Sequence, residues 1–228
     1  MQPLVSCVIP VYNGARYLGE AIDSALGQSY AALEVLVVDD GSTDDSGAIA
    51  AAYNGRVRYF RQENAGPPVA RNAGVREARG EIIAFLDSDD LWHGEKIERQ
   101  ASQLEARPEL DGCLCHARMF WIDELREEGA RFESHPRAQP PGYGSTTLMA
   151  RRDLFRKIGD FDPKLRFGDL IDWFLRAQRH GALFEMLPDV LAYRRMHHNN
   201  LSRQARGRDQ YVEIVKGALE RKRAASGD

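Results

Sequence analysis

In the N-terminal half of the chain, short apolar runs alternate with longer amphipathic stretches. The apolar runs are rich in β-branched residues and predict four buried strands, at residues 5–9, 33–38, 57–60 and 82–86. The amphipathic stretches predict one helix after each strand, at residues 15–26, 46–52, 69–79 and about 93–107. Strands that alternate with helices in this way are typical of a mostly parallel sheet covered by helices.

Beyond Pro108 the pattern is less regular. Further strands are predicted where apolar runs recur, at residues 112–120, 145–150 and 190–195. Further helices are predicted at residues 153–158, 169–180 and 210–225. A polar loop that contains prolines is predicted at residues 133–144. The sequence shows no internal repeat, and we expect one domain over residues 1–228.

The composition narrows the class of protein. The 31 Lys and Arg residues against 34 Asp and Glu residues give a net charge of −3, which argues against a nucleic-acid partner and a general anionic-membrane surface. Cys7, Cys113 and Cys115 lack the spacing of a zinc site and are predicted to be buried, reduced thiols of a cytosolic protein. The apolar residues 5–12 are too few to span a bilayer, so no transmembrane segment is predicted.

Three carboxylates follow the fourth predicted strand, in the run Asp87-Ser88-Asp89-Asp90. Like charges this close raise each other's pKa values and cost free energy unless a cation neutralises them. Carboxylate oxygens without nearby Cys or His favour Mg²⁺ or Mn²⁺ over zinc. The alternative is a helix start, in which Ser88 or Asp89 caps the helix predicted at about 93–107. The run alone does not decide between the two interpretations.

The first two predicted strands also end in polar residues. Ligands of open α/β sheets bind at the carboxyl ends of the strands, where this sequence has Tyr12 and Asp40. The Tyr12 ring offers a flat face for a base, and the Asp40 carboxylate offers an acceptor for a ring N–H. Alternatively, Tyr12 covers the sheet edge and Asp40 caps a helix. Neither strand end carries a glycine-rich phosphate loop, so a metal would have to hold the phosphates of a nucleotide.

Four blocks of the N-terminal half together resemble, in order and spacing, the family 2 glycosyltransferases. The blocks are Val8-Ile9-Pro10-Val11-Tyr12-Asn13, Val37-Val38-Asp39-Asp40-Gly41-Ser42, Asn64-Ala65-Gly66-Pro67 with Ala70-Arg71-Asn72-Ala73-Gly74, and Phe85-Leu86-Asp87-Ser88-Asp89-Asp90. The resemblance implies the α/β, three-layer type A glycosyltransferase fold of nucleotide-diphospho-sugar transferases. In that fold a Rossmann-like, mostly parallel sheet has an antiparallel extension on the acceptor side. Residues 1–107 would bind the nucleotide sugar, and residues 108–228 would supply the base and the acceptor surface.

The resemblance also implies roles for single residues. Tyr12 would stack on the base, Asp40 would bind the imide N–H, and Arg71 would lie near the base and phosphates. Alternatively, Arg71 solvates its helix face or pairs with Glu77 or Asp40. The donor-binding residues implied in this way are Pro10, Tyr12, Asn13, Asp40, Arg71, Asp87, Ser88 and Asp89.

The implied metal site combines the two halves of the sequence. Asp87, Asp89 and Asp90 would form a DxD-type element that binds Mn²⁺ or Mg²⁺. The run Tyr193-Arg194-Arg195-Met196-His197-His198 resembles the closing motif of the family, in which Arg and His contact the pyrophosphate or complete the metal site. His197 matches this motif best, and His198 is the alternative. Alternatively, the histidine can be interpreted as an ordinary surface residue of a polar loop.

An inverting displacement needs a base to take the proton of the acceptor hydroxyl. The family often has an acidic pair in the region of Gly168-Asp169-Leu170-Ile171-Asp172-Trp173, but the position expected for the base holds Leu170. Either Asp169 or Asp172 must therefore serve, or activity is altered. We favour Asp169, because it follows a glycine at the entrance of the predicted helix. The alternative is that Asp169 caps the helix and Asp172 pairs with Arg176.

The resemblance, together with these residues, implies a metal-dependent glycosyltransferase that uses a nucleotide-sugar donor and inverts the anomeric carbon. UDP-sugar is the default donor. A dTDP-sugar is the alternative, because a carboxylate that accepts the imide N–H of a base binds uracil and thymine alike. The resemblance implies a saccharide or lipid-linked acceptor in cell-surface polysaccharide synthesis, with peripheral contact at the inner face of the membrane left open. One rival is a non-catalytic nucleotide-sugar-binding or partner domain that has lost its base, as Leu170 suggests. A nucleotidyltransferase is the other, although Asn13-Gly14-Ala15-Arg16 is only a weak phosphate loop.

Overall fold

Eight strands form one mixed sheet in the computed structural model, which describes residues 2–133, 142, 144–165 and 168–203. The strands are β1 Val5–Val11, β2 Leu33–Asp39, β3 Arg58–Arg61, β4 Ile82–Phe85, β5 Leu91–Trp92, β6 Gly112–Trp121, β7 Met149–Arg151 and β8 Phe184–Met196. Their order across the sheet is β3-β2-β1-β4-β7-β6-β8-β5. One sheet therefore contains strands from both halves of the chain.

The first four strands run parallel, and β7 reverses the direction. β1 pairs with β2 and β4, and β3 pairs with β2, all in parallel. β7 lies antiparallel between β4 and β6, and β8 lies between β6 and the short strand β5. Because β1, β2 and β4 are parallel, their carboxyl ends meet at one edge of the sheet, as expected for an open α/β fold.

Helices cover both faces of the sheet. They are α1 Leu18–Leu26, α2 Ser46–Ala51, α3 Pro67–Glu77, α4 Lys96–Ala106, α5 Arg126–Glu133, α6 Arg152–Ile158 and α7 Asp169–Arg179. Successive side chains of a strand point to opposite faces, so Cys7 and Ile9 of β1 pack with α1 and α4, whereas Val8 packs with α3, α6 and α7. None of the helices that the structure describes is long and apolar enough to cross a membrane.

The structure corrects several predicted elements. The helix predicted from about residue 93 begins at Lys96, because Leu91 and Trp92 pair with β8 as a strand. Residues 145–150 do not form one strand, since a 3-10 turn, Ser145–Thr147, precedes β7. β8 begins at Phe184, well before the predicted strand, and α5 was not predicted at all. The helix predicted at 210–225 and most of the loop at 133–144 lie outside the described residues.

Candidate functional site

The acidic run after β4 forms a tight turn, which we call the acidic turn (residues 87–90). The Asp90 backbone N–H donates to the Asp87 carbonyl oxygen at 3.0 Å. The next helix, α4, has Glu95 as its N-cap and is separated from the turn by β5. The carboxylates therefore do not cap a helix, and the helix-start interpretation is wrong.

Arg71 of α3 joins the acidic turn to the start of α7. Its Nη2 donates to Asp87 Oδ1 at 3.0 Å, and its Nη1 donates to Asp169 Oδ2 at 2.7 Å. Burial lowers the pKa of Arg71, but the two carboxylates outweigh burial and raise the pKa above its ordinary value. The Arg71 Nε is buried and has no hydrogen-bond partner among the described residues. Arg71 thus neither solvates a helix face nor pairs with Glu77 or Asp40.

Asp89 faces the closing motif. His197 Nε2 lies 2.8 Å from Asp89 Oδ2, and Asn200 Nδ2 donates to the same oxygen at 3.1 Å. The Asn200 side chain also accepts the His197 backbone N–H, which fixes the chain after β8. His198 is exposed. The structure therefore brings together the predicted pair Asp89 and His197, which are far apart in sequence.

Asp90 points into the protein. Its Oδ2 accepts the Thr146 hydroxyl at 2.8 Å, its Oδ1 accepts the Arg195 backbone N–H at 2.9 Å, and the residue is 4% exposed. Burial, Asp89 and Asp87 raise its pKa well above the ordinary value. Because both carboxylate oxygens are engaged inside the protein, the geometry argues against the prediction that Asp90 binds the metal. Its contacts tie the acidic turn to β8.

The residues at the end of β1 divide into exposed and structural groups. The Tyr12 ring is 53% exposed, so its face is open to a ligand, whereas Pro10 is buried in the strand. Asn13 has a φ of 50°, and its side-chain oxygen accepts the Thr43 backbone N–H at 2.8 Å. Ser88, which is half-buried, lies opposite the backbone of Gly14. Asn13 therefore ties the ends of β1 and β2 together through its side chain.

The Asp40 carboxylate lies at the end of β2 and is only 3% exposed. Its Oδ1 accepts from Gln62 Nε2 at 2.7 Å and from the Ala65 backbone N–H at 2.9 Å, and its Oδ2 accepts from the Gly66 N–H at 2.8 Å. A carboxylate has about four lone-pair sites. These three bonds leave one lone-pair site, on Oδ2, without a partner among the described residues.

The two candidate bases lie in different environments. Asp169 is the first residue of α7 and is bound to Arg71, whereas Asp172 accepts from Arg176 Nε at 2.8 Å. Arg176 also donates to the backbone carbonyls of Ile158, the last residue of α6, and of Asp160, so it ties the two helices together. Leu170 is buried in the core. The N-cap is Gly168, so the alternative that Asp169 caps the helix is wrong.

A comparison with protein-family models matches residues 6–159 to the model described as "Glycosyl transferase family 2". The chain belongs to glycosyltransferase family 2. An uncharacterised glycosyltransferase of Rickettsia typhi is 34% identical over 96% of this chain and 72% of the relative. The uncharacterised glycosyltransferase EpsJ of Bacillus subtilis is 30% identical over 89% of this chain and 64% of the relative.

Solved structures confirm the type A glycosyltransferase fold. Staphylococcus aureus TarS residues 1–349 in complex with UDP-GlcNAc superpose with a TM-score of 0.76 and 22% identity, over 94% of this chain and 65% of that chain. The mannosyltransferase PcManGT of Pyrobaculum calidifontis, in complex with GDP-Man and Mn²⁺, gives a TM-score of 0.68 and 23% identity, over 88% and 59%. This glycosyltransferase thus spans less than two thirds of the length of those two proteins.

Sequence reasoning assigned no role to three residues that shape the site of this family 2 glycosyltransferase. Ser145 Oγ donates to Asp87 Oδ2 at 2.8 Å, and Thr146 and Asn200 bind the other two acids as described above. The closing motif, which contains Arg194 and Arg195, implied an arginine at the pyrophosphate or the metal site. The Arg195 guanidinium lies over the rings of Tyr17 and Phe120 and donates to the Asp89 carbonyl oxygen. Small polar residues such as Ser145 and Thr146 give no sequence signal, because only the fold brings them to the acidic turn.

The described residues of this glycosyltransferase include no group of three or more Asp, Glu, His or Cys side chains that could hold a metal ion. Both carboxylate oxygens of Asp87 accept hydrogen bonds, from Arg71 and Ser145, and the Asp90 carboxylate points into the protein interior. Asp89 Oδ1 is the carboxylate oxygen of the acidic turn that accepts no hydrogen bond from the described residues, and His197 lies beside Asp89 Oδ2. Mg²⁺ is usually bound by one or two carboxylates together with substrate phosphates, so a site with few protein ligands suits a phosphate-bearing substrate.

Proposed function

We propose that this glycosyltransferase uses Mn²⁺ or Mg²⁺ and moves a sugar, with inversion, from a nucleoside diphosphate to a saccharide or lipid-linked acceptor. The observation that carries the proposal is Arg71, which connects Asp169, the proposed base, to Asp87 of the acidic turn. Base and donor-binding carboxylates thus occupy one site. A role in cell-surface polysaccharide synthesis rests on the family resemblance alone.

The strand ends support a nucleotide donor. Tyr12 is exposed where a base would stack, and Asp40 keeps one acceptor site for an imide N–H. The complex of TarS with UDP-GlcNAc supports UDP as the nucleotide, and dTDP has the same imide group. The unpartnered Nε of Arg71 is a buried donor that an oxygen of the donor substrate would satisfy.

The metal site of the proposal consists of Asp89 and His197. The Asp89 carboxylate supplies the oxygen that Mn²⁺ and Mg²⁺ prefer, and the His197 imidazole adds a nitrogen 2.8 Å away. The complex of PcManGT with GDP-Man and Mn²⁺ supports such an ion. When bound, the ion would neutralise the negative charge that develops on the nucleoside diphosphate. Asn200 holds Asp89 in place for this contact.

The proposed base is Asp169. Its Oδ2 is held by Arg71, and its Oδ1 accepts no hydrogen bond from the described residues. In the proposed reaction Asp169 Oδ1 takes the proton of the acceptor hydroxyl. The hydroxyl oxygen of the acceptor bonds to the anomeric carbon as the nucleoside diphosphate leaves. Asp172 does not serve, because Arg176 engages it away from Arg71.

Replacement of each acid by its amide tests this assignment. We expect Asp169→Asn to lower kcat at least about 100-fold with little change in the KM for the donor, since general-base catalysis contributes roughly 10²–10⁴-fold. Asp172→Asn, the matched control, should keep kcat and lower only thermal stability. Transfer that survives Asp169→Asn unchanged would exclude Asp169 as the base.

Leu170 favours one rival function, a nucleotide-sugar-binding domain without transferase activity. Leu170 is a core residue of α7 in the structure. The position where the family often has its base therefore carries a buried, apolar side chain. The rival predicts that the protein binds UDP with Mn²⁺ but releases no sugar, and that Asp169→Asn changes neither result. Product analysis of released nucleoside diphosphate distinguishes the two functions.

A further inference from the structure

Lys96, the first residue of α4, carries a buried amino group outside the donor site. The residue is 0% exposed, and its Nζ donates to Gln100 Oε1 at 2.6 Å and lies 4.3 Å from the centre of the Trp92 ring. Among the residues that the structure describes, no carboxylate pairs with it. Its surroundings are the thiols of three cysteines, Cys7, Cys113 and Cys115.

A cation in these surroundings costs free energy. Burial lowers the pKa of Lys96, and burial also raises the pKa values of the thiols, that of Cys113 to about 12, so the thiols stay neutral and do not balance the charge. Apolar residues of similar volume often replace buried charges with no loss of stability. The stability of the core alone therefore does not explain why Lys96 is buried here.

Both partners of Lys96 hold the backbone of the 3-10 turn Ser145–Thr147. Trp92 Nε1 donates to the Thr146 carbonyl oxygen at 2.9 Å. Gln100 Nε2 donates to the Thr147 carbonyl oxygen at 2.9 Å. Because the amino group binds the Gln100 oxygen, the Gln100 amide points its N–H groups away from Lys96, toward the carbonyl oxygens of Thr147 in the turn and of Cys113 in β6. Lys96 thus fixes the orientation of the side chain that holds Thr147.

The 3-10 turn is itself hydrogen-bonded to the acidic turn. Ser145 Oγ donates to Asp87 Oδ2 at 2.8 Å, and Thr146 Oγ1 donates to Asp90 Oδ2 at 2.8 Å. The Asp87 backbone N–H also reaches Thr146 Oγ1, at 3.3 Å. A continuous path of hydrogen bonds and one ring contact therefore runs from Lys96 through Trp92 and Gln100 to the carboxylates of the donor site.

We propose that Lys96 is a positioning residue of this glycosyltransferase, which acts through Trp92 and Gln100 on the 3-10 turn and so sets the geometry of the acidic turn for metal-coupled donor binding. The inference rests on the proposed function, because it gives the acidic turn a role in that binding. Lys96 touches neither donor nor metal in this account. Its effect on binding is indirect and is separable from any effect on folding.

The test compares the wild type with Lys96→Met, which keeps the length of the side chain and removes its charge. Isothermal titration calorimetry with UDP in the presence of Mn²⁺ measures binding without catalysis, and a thermal melt measures stability. We expect the dissociation constant to rise at least about tenfold, which is the lower end of the effect of outer-shell partners of metal ligands, because the acidic turn also carries the proposed ligand Asp89. The melting temperature should stay the same or rise. Gln103→Met, on the same helix and bound to Glu185 instead, is the control and should leave the dissociation constant unchanged.

Trp92→Phe provides a second test that does not depend on how Lys96→Met folds. It keeps an aromatic ring at this position and removes the Nε1–H donor to Thr146 together with part of the ring volume, so it should also weaken UDP binding in the presence of Mn²⁺. If both variants bind UDP with the wild-type dissociation constant, the inference is overturned but the proposed function is not. The same holds if the variants only lower the melting temperature and leave the dissociation constant unchanged. A wild type that binds no UDP with Mn²⁺ would overturn the proposed function, and the inference with it.

Discussion

The guanidinium of Arg71 lies between two carboxylates that come from distant parts of the chain, Asp87 and Asp169. The planar guanidinium presents donors in a fixed fork, so one side chain can bind both acids at once. A lysine at this position would offer a point charge to only one of them. Arg71 therefore fixes the position of the proposed base relative to the acidic turn, while its buried Nε has no hydrogen-bond partner among the described residues.

Arg71→Lys should destabilise the protein and weaken donor binding together. One buried carboxylate loses its partner, and this costs roughly 3–5 kcal/mol when a buried pair is broken. Urea denaturation measures the change in the free energy of unfolding. The control is Arg76→Met on the same helix, because Arg76 pairs with Asp160 at the surface and an exposed pair contributes about 0.2–1 kcal/mol. Equal losses in the two variants would contradict a special role for Arg71.

At the scale of elements, the start of α7 decides where Asp169 points. Gly168 has a φ of 74°, a left-handed conformation that L-residues with a side chain rarely adopt, and the helix begins immediately after it. Asp169 follows this glycine directly, and its carboxylate contacts Arg71 of α3. Farther along the same helix, Trp173 packs into the core, so one element supplies both the candidate base and the packing that holds it.

Gly168→Ala should lower both stability and activity. The positive φ costs a residue with a Cβ roughly 1–3 kcal/mol, and relief of this strain would move Asp169 away from Arg71. The matched control is Gly19→Ala in α1, where an added Cβ meets no atom closer than 3.8 Å. A helix-interior alanine stabilises by roughly 0.5–1 kcal/mol relative to glycine, so this control should melt at a higher temperature. The account would be contradicted if Gly168→Ala kept full activity.

At the scale of the whole molecule, an aromatic core carries α6 and α7 on the sheet. Trp173 is fully buried, stacks on Phe155 at 4.7 Å between ring centres and contacts Phe161, which in turn meets Phe85 of β4. This core lies beneath the segment that presents Asp169. The stability of the second half of the chain and the geometry of the site therefore depend on the same packing.

Trp173→Ala should destabilise the protein by roughly 3–5 kcal/mol, as expected when a large aromatic side chain is removed from a packed core. Chemical denaturation followed by circular dichroism measures this loss. Tyr12→Ala, the control, removes an exposed ring and should change the free energy of unfolding by about 0.5 kcal/mol or less, although it should weaken UDP binding. A small loss in Trp173→Ala would show that the aromatic core is not essential to the fold.

The sequence was most informative where structure is local. The parallel strands β1, β2 and β4 were predicted nearly at their observed bounds, because buried parallel strands are continuous apolar runs. The short strands β5 and β7 were not, since their pairing partners are distant in sequence and a two- or three-residue strand has no period. Contacts between residues that are distant in sequence also explain which parts of the site were not predicted. Asp89 and His197 were expected together from family motifs. The inward turn of Asp90 depends on the Thr146 hydroxyl, which lies in no motif, and on the Arg195 backbone N–H, whose contact the closing motif did not imply.

The central claim is that the acidic turn binds a nucleoside diphosphate together with a divalent cation. A thermal-shift titration of UDP with Mn²⁺, for the wild type, Asp89→Ala and the control Asp172→Asn, tests it most directly. At a ligand concentration of 100 times the dissociation constant, binding stabilises the wild type by about 2.7 kcal/mol. This corresponds to a rise of roughly 5–10 °C in melting temperature for a chain of this size. We predict that the rise requires Mn²⁺, persists in Asp172→Asn and is lost in Asp89→Ala; a metal-dependent rise that persists in Asp89→Ala would contradict the account.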